Sequence, residues 1–399
     1  MLNTIKLAEV TQSSVTGLDA IQRAPIVPYN TEHKCLRIQN VAHCESYEEW
    51  GFTEVSEANF GNFQLRKDDI IISRTGGSIG SVMYIAQDYN AVFNNGLIRL
   101  RVNRDYADPL FVYYCLKSNQ FSKHIEHCCL GNSTQENIRM NDMLEYKIPS
   151  ITLSLQKKIA TLLWSFDEKI NNNNDLCTNF KNMTKLLYDY WFVQFDFPDE
   201  NGRPYKSSGG EMVYVDKIKR EIPKNWKVIE LGDIIKEAKK SSVQVSEARK
   251  KVGNYPFFTS GDDILDFNDY YVDGFNIFLN TGGNADVKSF FGKSAYSTDT
   301  WCISADNYSY ILYIFLDSIK EQINDNCFAG SGLKHLQKNA FKKIKLVVPP
   351  DGNLLESFNN FALSSYQTIS SYKAENKRLA SLRDWLLPML MSGQVCIAD

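Results

Sequence analysis

From Leu153 to Phe192 the apolar residues recur on a seven-residue spacing, a pattern that few folds accommodate. Ile159, Phe166, Phe180 and Leu187 form one row; Leu155, Leu162, Leu176, Met183 and Tyr190 form a second, three residues out of step. That is the a/d pattern of a coiled-coil seam, with Lys169 and Asn173 as polar interruptions near its middle. Roughly forty residues at ~1.5 Å each make a rod on the order of 60 Å long. Such a rod serves as a spacer or a partner surface. The pattern returns from Leu354 to Leu387, where Leu355, Phe358, Ala362, Ile369, Tyr372, Leu379 and Leu386 repeat it around Asn376. Either helix alone reads equally as an ordinary core helix; two at equivalent places in two halves predict an internal repeat.

A chain of 399 residues exceeds one typical core, so two or more domains are expected. Aromatics at 13% exclude a disordered chain. No apolar run reaches the length of a membrane span, and MLNTIKLAEV does not read as a signal peptide. Nine irregularly spaced cysteines without a secretion signal predict reduced thiols in a cytoplasm. A net charge of −3 argues against a uniformly basic protein, but local charge placement, not the sum, decides nucleic-acid binding.

The halves replay one order. Up to Pro149 the chain reads as short strands and turns. Asp69 to Ser73 ends in Arg74-Thr75-Gly76-Gly77, Asn94-Asn95-Gly96 signals another turn, and Pro109 to Leu130 reads as a helix. A polar loop, GNSTQEN, then leads into Met143 to Pro149. In the second half Leu231-Gly232-Asp233-Ile234 echoes Leu7-Ala8-Glu9-Val10, and Asn276 to Asn280 runs into Thr281-Gly282-Gly283, paired here with Thr75-Gly76-Gly77. Tyr308 to Ile323 is an apolar helix, and Gly330 to Leu336 stands where Gly131 to Ile138 stood. The stretch from Leu7 to Thr75 is longer than that from Leu231 to Thr281. A fixed framework thus carries two different variable regions, the layout of a protein that reads two different things. Between the halves, Val193 to Glu211 is acidic, then Gly/Ser-rich, and reads as an exposed linker.

No catalytic constellation stands out. The Gly-Gly turns match neither G-x-G-x-x-G nor a P-loop; they are strand-ending turns or backbone edges that approach a phosphate. Pro198-Asp199 with Glu237-Ala238-Lys239 only loosely resembles a nuclease carboxylate set. His124, His127 and Cys128 share a helix face without a second ligand pair at zinc spacing, so a helix end packed with thiols is the simpler reading. Basic residues do cluster. Arg99 and Arg101 share a strand face, Lys236 to Lys251 crowd the second variable region, and Lys334, His335 and Lys338 fill its glycine loop. Solvated surface explains any one cluster. Their presence in both halves, off the helices, favours nucleic acid.

At this point the residues resemble a known family, the specificity subunits of type I restriction–modification systems. LLYDYWFVQFDFPDENGRPYK (186–206) looks like the end of that family's first conserved helix and its linker, and IPKNWKVIELGDI (222–234) like the entry to its second target-recognition domain. LRDWLLPMLMSGQV (382–395) is similar to its C-terminal signature; TGG after a strand and GNSTQENI (131–138) also fit. Two departures stand out. Thr4-Ile5-Lys6-Leu7 has no counterpart of Ile222 to Trp226 before it, and Leu333-Lys334-His335 replaces the Thr134-Gln135-Glu136 type of loop.

The resemblance implies an α+β fold with two pseudo-repeated target-recognition domains joined by two long antiparallel coiled-coil helices. The expected segments are 1–150 (first domain), 151–192 (central helix), 193–220 (linker), 221–350 (second domain) and 351–391 (C-terminal helix). It implies sequence-specific recognition of double-stranded DNA, one half-site per domain, in host defence by a cytoplasmic complex. Two modification subunits would carry S-adenosylmethionine, and restriction/translocase subunits ATP and Mg; this chain would hold no catalytic residue, cofactor or metal and touch no membrane. A modification-only system would use the same subunit. A self-contained DNA-modifying enzyme and a protein-binding helical scaffold are the competing classes, the former opposed by the lack of a cofactor-binding glycine motif or D/N-P-P-Y/F. Loop placement and charge put the DNA contacts at Arg74, Thr75, Gly76, Arg99, Arg101, Asn132, Ser133, Gln135 and Arg139 in the first half. In the second they fall at Lys239, Lys240, Lys250, Thr281, Lys334, His335 and Lys338.

Overall fold

The structure, a computed structural model, describes residues 3–129 and 137–395. They divide into two compact units, Met1–Ile170 with Lys377–Asp399, and Asn171–Asn376. The division falls inside both long helices, Leu153–Tyr188 and Asn353–Met391, so each unit holds one globular region and part of each helix.

In the first unit, Thr4–Lys6 pairs antiparallel with Lys147–Pro149 and closes the globular region at its two ends. Between them lies an antiparallel sheet in the order Thr11–Thr16, Leu97–Val102, Ile70–Ser73, Val82–Tyr84. Beside it is a three-stranded sheet, in which His33–Leu36 pairs antiparallel with Gly51–Thr53 and parallel with Ala91–Phe93. Ile70, Ile71 and Ile72 are wholly buried, which is why that strand reads as an unbroken β-branched run. The helix expected from Pro109 to Leu130 is two helices, Pro109–Leu116 and Asn119–Cys129. Asp108 caps the first by accepting from the Phe111 amide at 3.0 Å. Ser118 ends it and starts the next: its hydroxyl donates to the Cys115 carbonyl at 2.7 Å and accepts from the Phe121 amide at 3.3 Å.

The second unit repeats the closing strand pair and both sheets of this plan. Lys227–Glu230 pairs with Lys345–Val348. The four-stranded sheet runs Lys236–Glu237, Thr300–Ser304, Phe275–Asn280, Val287–Phe291. Tyr255–Phe258 pairs antiparallel with Ile264–Phe267 and parallel with Ala295–Tyr296. The segment expected to be an open linker is folded onto this unit. Phe195 is fully buried, and Phe197 stacks against Tyr205 and Trp226 at centroid distances of 4.7 and 5.2 Å. Asp199 gathers the Asn201 and Arg203 amides at 2.8 and 2.9 Å. Its polar composition hid a few aromatic anchors.

Within each unit the two helix segments run antiparallel. In the first, Ile159, Ala160 and Leu163 share a core with Leu387, Leu390 and Met391. Asp167 there receives Arg383, the Tyr114 hydroxyl at 2.7 Å and Lys117 at 3.7 Å. In the second, Phe192 meets Phe358 edge-on at 4.9 Å. Asn173 donates to Glu375 and Asn376, and Asn376 to Asn174, each at 2.8 Å. Buried amides of this kind fix register in coiled coils.

One row of the expected seam is displaced by a residue. Ile159 and Asn173 face inward as read, but their companions are Gln156, Leu163, Cys177 and Thr184, all buried. Leu176, Met183 and Tyr190, expected in the seam, are 39%, 52% and 39% exposed. A constant offset (355 − 156 = 199) carries the buried Gln156, Ile159, Leu163, Tyr188 and Phe192 onto the buried Leu355, Phe358, Ala362, Leu387 and Met391. The same offset carries the exposed Met183 and Leu186 onto the exposed Leu382 and Trp385. Both helices thus leave an equivalent apolar stripe uncovered within their own unit. No helix among the described residues is long and apolar enough to cross a membrane.

Candidate nucleic-acid interface

The most regular polar feature of each unit is a turn zipped to a loop. In the first, the chain leaves Ile70–Ser73 with its Arg74 amide on the Gly96 carbonyl at 2.9 Å and its Arg74 carbonyl accepting from the Ile138 amide at 3.0 Å. Thr75 bridges to Asn137. The Arg74 guanidinium donates to the Asn137 side chain at 3.0 Å and the Thr16 hydroxyl at 3.2 Å. In the second, the Thr281 carbonyl accepts from the Leu336 amide at 3.0 Å, Gly282 bridges to His335, and the Gly283 amide donates to the Lys334 carbonyl at 2.9 Å.

These bonds reset the register of the repeat. Ser73 faces Leu97 as Asn280 faces Thr300, so Arg74 corresponds to Thr281 and Gly76 to Gly283. The pairing of Thr75-Gly76-Gly77 with Thr281-Gly282-Gly283 is one residue out. Gly76 and Gly283 share a left-handed φ, +81° and +83°, which glycine adopts without a Cβ penalty.

The structure sorts the expected contact residues. Arg99 is not a surface cation: it is 4% exposed. Its guanidinium donates to the Gln64 and Asn62 carbonyls at 3.1 and 3.3 Å and lies 5.4 Å from the Phe93 ring centroid. Burial lowers its pKa to about 10. Arg101 is bidentate on Asp69 at 2.6 and 3.1 Å, with only its edge open. Asp69 is itself buried, so the pair is a structural hub.

Lys338 is likewise engaged. It and Lys342 bind Glu237 at 2.9 and 2.6 Å, with the Trp301 indole donating at 2.8 Å. Those bonds, the Lys342 bond foremost, hold the Glu237 carboxyl down near about 2. The Lys338 ammonium also sits 4.2 Å from the Trp301 ring centroid.

Arg139, Lys239, Lys240, Lys250, Lys334 and His335 remain exposed. Asn132, Ser133 and Gln135 lie outside the described residues. A run of contacts gathers several of these in the second unit. The Thr281 hydroxyl donates to the Asp299 carbonyl at 2.7 Å, Thr298 donates to the Val243 carbonyl at 3.0 Å, and the Tyr296 hydroxyl to the Lys239 carbonyl at 2.5 Å. These bonds tie the Thr281 turn and the Lys239 backbone to the Tyr296–Asp299 segment, and the Lys334–His335 loop is zipped to that turn. Lys250 follows the short helix Val245–Ala248, outside that run. Sequence reading missed Thr16, which with Asn137 of the expected 131–139 contact loop orients Arg74; only pairing the turn with the loop exposes that role. Leu333, within the expected 330–338 contact loop, is 66% exposed.

The weak catalytic candidates have structural work. Asp199 ties its own turn through Arg203. His124 is held by the Asp142 carbonyl at 2.9 Å and lies 3.6 Å from the Cys128 sulfur. Among the described residues no three His, Cys, Asp or Glu gather as metal ligands.

A module present twice, closed by its own strand pair, entering a long helix and presenting a differently lettered polar turn, defines a duplicated recognition scaffold. The chain belongs to the family described as type I restriction modification DNA specificity domain, whose model matches residues 45–177 and 223–353. It is 25% identical over 339 residues to the type I restriction enzyme MjaIX specificity subunit of Methanocaldococcus jannaschii, covering 79% of this chain and 76% of that one. It is 22% identical over 407 residues to the HindI specificity subunit of Haemophilus influenzae, covering 83% and 87%. In fold it is similar to the crystal structure of a type I S subunit from M. genitalium, with a TM-score of 0.61, 19% identity, and 98% and 96% coverage.

Proposed function

We propose that each unit of this specificity subunit reads one half of a bipartite DNA sequence and so directs the chemistry of partner subunits. The observation that carries this reading is the turn–loop module. Its backbone register is the same in both units, while its side chains differ: Arg74, Thr75 and Asn137 in one, Thr281, Gly282 and His335 in the other. A conserved frame with changed polar groups suits two different sets of base edges. Arg139, Lys239, Lys240 and Lys334 are exposed cations, which supports phosphate contacts by them. The subunit itself is non-catalytic; S-adenosylmethionine, ATP and Mg belong to the partners, in the cytoplasm.

The exposed stripes support the partner stoichiometry. Met183, Leu186 and Tyr190 on one helix and Leu382 and Trp385 on the other offer equivalent apolar faces for two copies of one modification subunit. The long helices set the spacing between half-sites.

The test is an exchange of residues 223–353 for the matching segment of another family member. One half of the methylated sequence should change and the other stay. If both halves change, or neither, the division of labour is wrong.

A further inference from the structure

The second unit contains a cleft lined by none of the residues assigned above to DNA contact. It has a volume of about 210 Å³, and its walls include Lys181 of the central helix, Lys373 and Ser370 of the C-terminal helix, Lys288 of the sheet edge, and Tyr313 and Tyr366. No carboxylate is among its lining residues. Lys288 is already balanced, with Asp286 at 3.2 Å and the Thr259 carbonyl at 3.2 Å. Lys181 and Lys373 have no such partner among the described residues. They face the cleft from different helices, and the cleft's burial, then the Lys181 charge, hold the Lys373 ammonium below its usual range. Tyr366 is 5% exposed, and its hydroxyl makes no hydrogen bond among the described residues.

Lys181 and Lys373 are exposed residues at the open side of the cleft, and two like charges lining one opening favour an anion that neutralises both. The volume suits a tetrahedral oxyanion with a few waters, each needing ~30 Å³, and is below the ~300 Å³ at which drug-sized ligands begin to fit. We propose that this cleft is a phosphate site, in which Lys181 and Lys373 bind the oxyanion and the Tyr366 hydroxyl donates to it. The two ammoniums match a phosphate group, doubly charged as inorganic phosphate or a nucleotide's terminal phosphate and singly charged in the DNA backbone. The site stands independently of which bases are read.

The experiment uses the full chain, with inorganic phosphate as the probe and chloride at equal ionic strength as the control. Phosphate at about five times its Kd should raise Tm by roughly 2–4 °C. The variant K181M/K373M should lose that rise, yet melt in chloride at or above the wild-type temperature, because the repulsion is gone. ATP in place of phosphate, and duplex DNA added as competitor, identify the source: a backbone-phosphate site loses the phosphate response in DNA, a free-phosphate site keeps it. Equal wild-type melting in phosphate and chloride, or a phosphate response that survives in the double variant, overturns the proposal.

Discussion

Replacing Trp385 with glutamate tests the exposed stripe at its largest residue. Trp385 is 57% exposed, so of a side chain of roughly 250 Å² about 140 Å² is left for a partner to cover. At ~25 cal/mol per Å² that area is worth about 3.5 kcal/mol, or roughly 300-fold in Kd. Placing a carboxylate there adds a desolvation cost to the same contact. The chain's own stability should move by less than about 0.5 kcal/mol, as for other exposed positions. Mixed with modification subunits at concentrations that saturate both sites of the wild type, Trp385→Glu should give a 1:1 complex by native mass spectrometry in place of 2:1. Leu186→Glu, at the offset-equivalent position and 69% exposed, should do the same, and the double variant should bind neither copy. A folded Trp385→Glu chain that still assembles 2:1, with less than about a threefold loss in affinity, would refute the reasoning.

Asp167→Asn removes the carboxylate shared by Arg383, Lys117 and Tyr114; because Asp167 and Arg383 are largely buried, urea unfolding should show a loss of about 2–4 kcal/mol. Glu237 has its folded pKa depressed from 4.5 to about 2. Its stabilisation is therefore complete above 4.5 and lost as pH falls towards 2, and Glu237→Gln should flatten the acid limb of a stability–pH curve in that window while leaving the neutral limb parallel. Seven residues inserted into both long helices, at 170/171 and 376/377, preserve the heptad phase and add about 10 Å, close to three base pairs at ~3.4 Å each. Methylation mapping should show a gap longer by about three base pairs between unchanged half-sites; altered half-sites would dispose of the ruler.

The repeat was legible in the sequence because the framework segments keep their apolar letters: Leu7 and Leu231 are both fully buried, each opening the short helix that follows its closing strand. The seam was half legible. Hydrophobicity favoured Leu176, Met183 and Tyr190 over Gln156, Cys177 and Thr184, and the buried row is the more polar one. The C-terminal helix held the correction, since its Leu355, Ala362 and Ile369, all buried, mark that row plainly and the offset transfers it. Charge alone could not tell Arg99, turned inward over Phe93, from Arg139, left in solvent. Their difference depends on the Gln64 and Asn62 carbonyls that take the Arg99 guanidinium, more than thirty residues away in sequence. The turn register likewise depends on cross-strand pairs that the repeated T-G-G letters obscured.

The central claim is that this chain supplies DNA sequence specificity to a methyltransferase it does not itself contain. Mapping methylated adenines across the genome, with the gene present and deleted, addresses it most directly. A single bipartite motif, two unlike half-sites across a fixed unread gap, should lose its methylation on deletion. An unchanged set of methylated motifs would contradict it.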